Sequence, residues 1–257
     1  MSLGDILTMA SFAKDVAELT TSEKAKIWFK SLFGKRIPIA VYGDSGVGKT
    51  QFMRTLTGKN RYLIVNTRTR SIHEHKTSLR TGRKIKLIDL PGHASLKSAR
   101  DTVLNDITRG KITCVINLVN YGYQDSEQLR NEPSLAFKTG TSEVKPEYLN
   151  ENRKREIQRT KEIVERIGHD VKLKWMITVI NKADIWNKNR EEVEDYYKNG
   201  EYYNVIESLQ KATYLEVRPF CSVITPFGNK EMLLSYSDQD KYTDYDSLMS
   251  LLEEILK

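Results

Sequence analysis

Gly43-Asp44-Ser45-Gly46-Val47-Gly48-Lys49-Thr50 follows the apolar run Ile37 to Tyr42 and precedes a helix-like stretch, Gln51 to Thr57. The pattern G-x-x-x-x-G-K-[ST] has a mechanical meaning. Small residues let successive backbone N–H groups curl round a polyphosphate, and the helix behind them adds the positive end of its dipole. The backbone of Asp44, Ser45, Gly46, Val47, Gly48, Lys49, Thr50 and Gln51 is therefore expected to cradle phosphates, with Lys49 reaching the outer ones as a point charge. The Thr50 hydroxyl is placed to ligate a Mg²⁺ that bridges the last two phosphates.

A second group ends the apolar stretch Ile85-Lys86-Leu87-Ile88, as Asp89-Leu90-Pro91-Gly92-His93. In a phosphate-loop protein, an acid at the end of a later strand holds Mg²⁺, commonly through water, and a glycine three residues on can give its N–H to the terminal phosphate. Asp89 and Gly92 are thus expected to sense that phosphate. His93 follows where its side chain can face an attacking water and orient it, or simply fill the turn. A third group, Asn181-Lys182-Ala183-Asp184, ends the run Trp175 to Ile180. A carboxylate at Asp184 can accept both the ring N–H and the exocyclic amine of guanine, a pairing adenine does not offer. Asn181 would buttress the site and the Lys182 stem would cover the base. Cys221-Ser222-Val223 then sits where a backbone N–H from Ser222 or Val223 meets the guanine carbonyl.

Positioning these groups requires strands that end in loops, with helices between them. The spacing predicts strands over Ile37–Tyr42, Lys111–Asn117, Trp175–Ile180 and Val217–Val223. Ile72–Leu79 and Lys84–Asp89 read as a hairpin whose turn contains Gly82. Helices are expected over Ser95–Arg109, Asn152–Ile167, parts of Arg190–Ala212 with a break at Asn199-Gly200, and Tyr245–Leu256. Residues 119–151 are polar, with Gly122, Pro133, Gly140 and Pro146 as breakers, and read as an insertion. This alternation defines an α/β domain with a mostly parallel central sheet, one antiparallel edge strand and helices on both faces.

The chain divides into an N-terminal helical extension, residues 1–35, and a nucleotide-binding domain, 36–257. In the extension, Ala25, Trp28, Phe29, Leu32 and Phe33 form a stripe bordered by lysines, which suits a helix docked on a core or one in peripheral contact with a membrane. The longest apolar run is far short of the roughly 18 residues that cross a bilayer, and Met1–Ala10 lacks the features of a signal peptide. Cys114 and Cys221 lie in apolar runs and read as buried thiols, so a cytosolic compartment is expected. The net charge of +7 favours acidic partners without pointing to a nucleic acid. Between Arg61 and Lys86 basic residues crowd around a single acid, Glu74, and mark either a protected sheet edge or a docking surface. His73 and His75 share a strand face, with no cysteine or third histidine close in sequence to complete a metal site.

Together these motifs make residues 36–257 resemble the translation-factor-related class of small GTPases. Leu56-Thr57-Gly58, Leu87 to His93 and Ser95-Leu96 look most like the signal-recognition-particle receptor beta subunit and its Arf-like relatives. The resemblance implies a Ras-like G domain that binds GTP and GDP with Mg²⁺. It also implies that His93 assists hydrolysis, as in elongation factors that share the D-x-P-G-H form. The family closes a switch-loop threonine over the metal. Thr67 and Thr69 both precede the hairpin, and Thr69 sits closer to the strand, as in Arf-like proteins. The insertion after Asn117 departs from the small-GTPase pattern. So does the lack of a membrane-spanning helix like the receptor subunit's, and the missing barrel domain argues against an elongation factor. Ser45 and Gly46 stand where potassium-dependent relatives carry Asn or Asp, so that mode of activation is not expected.

The expected function is GTP hydrolysis by a nucleotide-dependent switch, with Lys49 and the Gly92 N–H acting on the phosphates, His93 orienting the attacking water, and a protein effector or activating partner reading the state. The alternative is a weakly hydrolysing GTP-binding assembly or scaffold module. An ATP-using kinase or motor conflicts with Asn181 to Asp184.

Overall fold

Six strands build one sheet in the computed structural model, which describes residues 35–58, 73–90, 97–124, 135–138, 143–168, 173–209, 213–222 and 236–256. They are β1 (Ile37–Tyr42), β2 (His73–Ser78), β3 (Lys84–Asp89), β4 (Cys114–Val119), β5 (Trp175–Ile180) and β6 (Tyr214–Pro219), in the order β2-β3-β1-β4-β5-β6. Only the β2–β3 pair is antiparallel. β4 and β5 are buried along their whole length because helices cover both faces, which is why their sequences are continuous apolar runs. The helical extension read at the N-terminus lies outside the described residues.

Alternation along β1 divides the core. Ile39 and Val41 face α1 (Lys49–Leu56) and α7 (Asp238–Ile255), packing with Phe52, Met53, Leu248 and Leu252. Ala40 and Tyr42 face the other layer, formed by α2 (Lys97–Thr108), α3 (Pro146–Ile167), α5 (Arg190–Lys198) and α6 (Glu201–Ile206). The short α4 (Ala183–Trp186) follows β5 directly. α1, which follows β1, and α2, which follows β3, lie on opposite faces of the sheet, and in sheets of this kind ligands bind at the carboxyl ends of the strands where the connections change face.

Four elements differ most from the sequence reading. β4 starts at Cys114 rather than Lys111, because the Lys111 and Ile112 amides are used in closing α2, both donating to the Asp106 carbonyl. β6 occupies Tyr214–Pro219 rather than Val217–Val223. It is an edge strand, tolerates the polar Glu216 and Arg218, and stops at a proline, so that Cys221 and Ser222 fall in the following loop. α3 begins at Pro146, taking six residues from the stretch read as insertion. The proline acts as a first-turn residue and not as a breaker. α7 begins at Asp238, well before Tyr245, behind a capping box in which Ser237 and Asp240 exchange hydrogen bonds.

Candidate nucleotide-binding site

The loop from Gly43 to Gly48 leaves β1 and enters α1 as its motif predicts, and two glycines are required by its geometry. Gly43 has φ +142°, and a Cβ there would stand 2.4 Å from the Leu118 carbonyl oxygen. Gly48 has φ +94°, and a Cβ would meet the Asn181 side-chain nitrogen at 2.6 Å. Lys49 is folded back into its own loop, its Nζ donating to the carbonyls of Gly43 and Asp44 at 2.8 Å each. Burial lowers the pKa of this ammonium, against the opposing pull of Asp89 and Asp44. The same ammonium donors are what an outer phosphate would engage.

Parallel pairing of β1 with β3 sets Val41 opposite Asp89, so the carboxylate emerges beside the loop. The Thr50 hydroxyl donates to Asp89 Oδ2 at 3.3 Å. A hydroxyl and a carboxylate are hard oxygen donors of the kind Mg²⁺ selects, and their juxtaposition fits that ion. Among the described residues no group of three or more histidine, cysteine or acidic side chains is assembled for a metal; on β2, His73 is exposed and His75 half-buried.

Asn181 ties the two ends of the site together. Its Nδ2 donates to the Val47 carbonyl at 2.8 Å, and its Oδ1 accepts from the Ser222 amide at 3.2 Å and hydroxyl at 2.9 Å. The Ser222 N–H is given to Asn181, and Val223 lies outside the described residues. Lys182 adopts the left-handed conformation at φ +61°, a strained choice for a side-chain-bearing residue. It is held there by the Ile185 amide on its carbonyl at 2.9 Å and by its own Nζ on the Tyr123 carbonyl at 2.5 Å. Asp184 is fully buried, with the Cys221 thiol donating to Oδ1 at 3.4 Å. Burial and the Asp184 charge both push the thiol up, so it stays protonated as a weak donor that a stronger N–H can displace.

Tyr123 in turn belongs to a segment, residues 120–124, pinned on α3 by groups the sequence reading passed over. Glu156 Oε1 accepts from the amides of Asn120 at 3.0 Å and Gly122 at 3.3 Å, and Oε2 accepts the Tyr197 hydroxyl at 2.6 Å. Asn152 donates to the Gly122 carbonyl at 2.8 Å. A polar stripe at 152, 156 and 160, one helical turn apart, was the available signal, hidden because polar residues at helical spacing normally mark a solvent face. Burial pushes the Glu156 carboxyl up to about 7, against the pull of Tyr197 and the two amides. The folded state thus holds a proton that the unfolded chain releases near the usual 4.5. The stability this supplies is complete below that value and is lost as pH rises through 7, by up to roughly 3 kcal/mol. Urea denaturation at pH 5 and pH 7.5 should show this loss in the unaltered protein and a flatter profile in E156Q. Equal slopes would place the titration elsewhere.

Gly92, His93, Thr67 and Thr69 lie outside the described residues. Among the described residues no helix is long and apolar enough to cross a membrane.

The loop, the Thr50–Asp89 pair and the Asn181–Asp184 turn, all at the carboxyl ends of the parallel strands, define a phosphate-loop guanine-nucleotide-binding domain. The 50S ribosome-binding GTPase family matches residues 38–210, and the chain belongs to that family. This is the translation-factor-related small-GTPase class that the motifs resemble. No curated protein sequence matches significantly. Among solved structures, the mammalian SRP receptor is similar at 18% identity and a TM-score of 0.45, covering 85% of this chain and 99% of that one. The bacterial selenocysteine-specific elongation factor EF-Sec is similar at 15% identity and a TM-score of 0.43. That match covers 84% of this chain and 29% of the factor.

Proposed function

We propose that this protein hydrolyses GTP to GDP and phosphate with Mg²⁺ and works as a nucleotide-dependent switch. The observation that carries this reading is the Thr50 hydroxyl 3.3 Å from the Asp89 carboxylate, next to the loop that holds Lys49. When bound, Mg²⁺ would supply charge neutralisation between the last two phosphates; Thr50 and Asp89 would hold it, with Thr69 as the switch-loop donor. Lys49 exchanges its two loop carbonyls for phosphate oxygens. The Asn181 clip keeps the loop and the base turn in register, and Asp184 selects guanine. Gly92 gives its N–H to the terminal phosphate, and His93 orients the attacking water. Loss of that phosphate releases the segments around Thr69 and Gly92 and alters the surface offered to a protein effector.

Phosphate release from GTP by the purified chain, measured with and without Mg²⁺ and in H93A, tests the reading. The expected result is slow, Mg²⁺-dependent turnover that falls roughly a hundredfold in H93A with GDP affinity retained. Unchanged turnover in H93A removes that role from His93. Tight GTP binding with no turnover in the unaltered protein would instead favour an assembly module that uses GTP as a structural ligand.

A further inference from the structure

The phosphate loop, built for an anionic ligand, carries an acid of its own. Asp44 occupies the first position after Gly43, its carboxylate is only 8% exposed, and it accepts the Ser45 amide at 2.8 Å. A buried carboxylate beside a polyphosphate is a like-charge contact, disfavoured in proportion to the phosphate charge unless a cation offsets it.

That cation comes from α3. Arg159 Nε stands 3.6 Å from Asp44 Oδ1, and its Nη1 is clamped by both Glu162 oxygens, at 2.8 and 3.0 Å. Glu162 Oε2 also accepts the Tyr42 hydroxyl at 3.3 Å and lies 4.0 Å from Nη1 of Arg100, a buried residue of α2. Tyr42 is the last residue of β1, so the clamp is anchored to the strand that launches the loop. Both guanidinium groups also act electrostatically on the Lys49 ammonium, which places their charge within reach of the phosphate site.

We propose that Arg159 is a positioning residue for the nucleotide: held by Glu162, it neutralises Asp44 and so lets the loop accept a nucleoside triphosphate. The inference rests on the guanine-nucleotide reading above. It also assigns a nucleotide-linked role to α3, which lies outside all three sequence motifs.

The test is a double-mutant cycle on the full chain, reading equilibrium binding of GDP and a non-hydrolysable GTP analogue with Mg²⁺. R159A should weaken the triphosphate analogue roughly tenfold or more and GDP less, because the outer phosphate adds charge. R159K should recover part of the loss. In a D44N background, adding R159A should change affinity less than about threefold, since the charge to be offset is gone. Equal losses in the two backgrounds, or no loss in R159A, overturn the proposal while leaving nucleotide binding intact. If R159A does not fold, R159Q carries the same cycle with the stem retained. An unaltered chain that binds neither nucleotide removes the functional reading, and this inference with it.

Discussion

Replacing Asp184 by asparagine is expected to weaken GTP and GDP binding by roughly a thousandfold while raising affinity for xanthosine triphosphate. The carboxylate is a pure acceptor matched to two adjacent donors of guanine. An amide keeps one acceptor and adds a donor, leaving one guanine N–H facing another N–H in a buried site. Xanthine carries a carbonyl where guanine has its amine, so the amide regains a partner there. The protein should tolerate the change, because the other contact made by Asp184 Oδ1, with the Cys221 thiol, needs only an acceptor. Competition binding with both triphosphates is the measurement. An equal loss for the two would show that the substitution disturbs the turn and not base selection, and no loss would place the base elsewhere.

Lys49→Met should separate binding from stability. The ammonium is buried and lies on the Gly43 and Asp44 carbonyls, so the nucleotide-free protein bears the cost of desolvating a charge and recovers it through two charge-assisted hydrogen bonds. Methionine keeps the stem volume, removes the desolvation cost and leaves two carbonyls short of a donor. These effects oppose one another, and the expected change in unfolding free energy is within about 2 kcal/mol. No such offset exists for the ligand. Losing the cation at the outer phosphates should weaken GTP binding by roughly a hundredfold or more. Denaturant melts and calorimetric titration of the same preparation check both halves. A fall in stability as large as the fall in binding would make Lys49 a structural residue.

These substitutions fall on positions that were legible in the chain itself. Gly43, Gly48, Lys49 and Thr50 are read from spacing because phosphate-loop chemistry depends on local backbone geometry, and local geometry is written in consecutive residues. Asp89 and Asp184 are legible for a related reason: Asp89 closes β3 and Asp184 stands in the short turn that follows β5, and a strand end in a parallel sheet faces the site. The sheet class and the break at Asn199-Gly200 follow from the same local signals.

Where an element departs from its sequence pattern, its surroundings decide. The Asp106 carbonyl holds Lys111 and Ile112 out of β4, and the exposed side of β6 permits Tyr214 to Glu216 to be strand without an apolar pattern. Glu156, Asn152 and Thr160 resemble a solvated face until α3 is laid over residues 120–124 and Asn117. Arg159 resembles any surface arginine until Asp44 is beside it. The sequence by itself determined the chemistry of the site, because that chemistry needs particular residue types at fixed short spacings. The tertiary structure alone decided which distant charges and hydrogen bonds surround it, because a helix brings Glu156, Arg159 and Glu162 to the loops through packing, and no local spacing encodes which strand end a helix will cover.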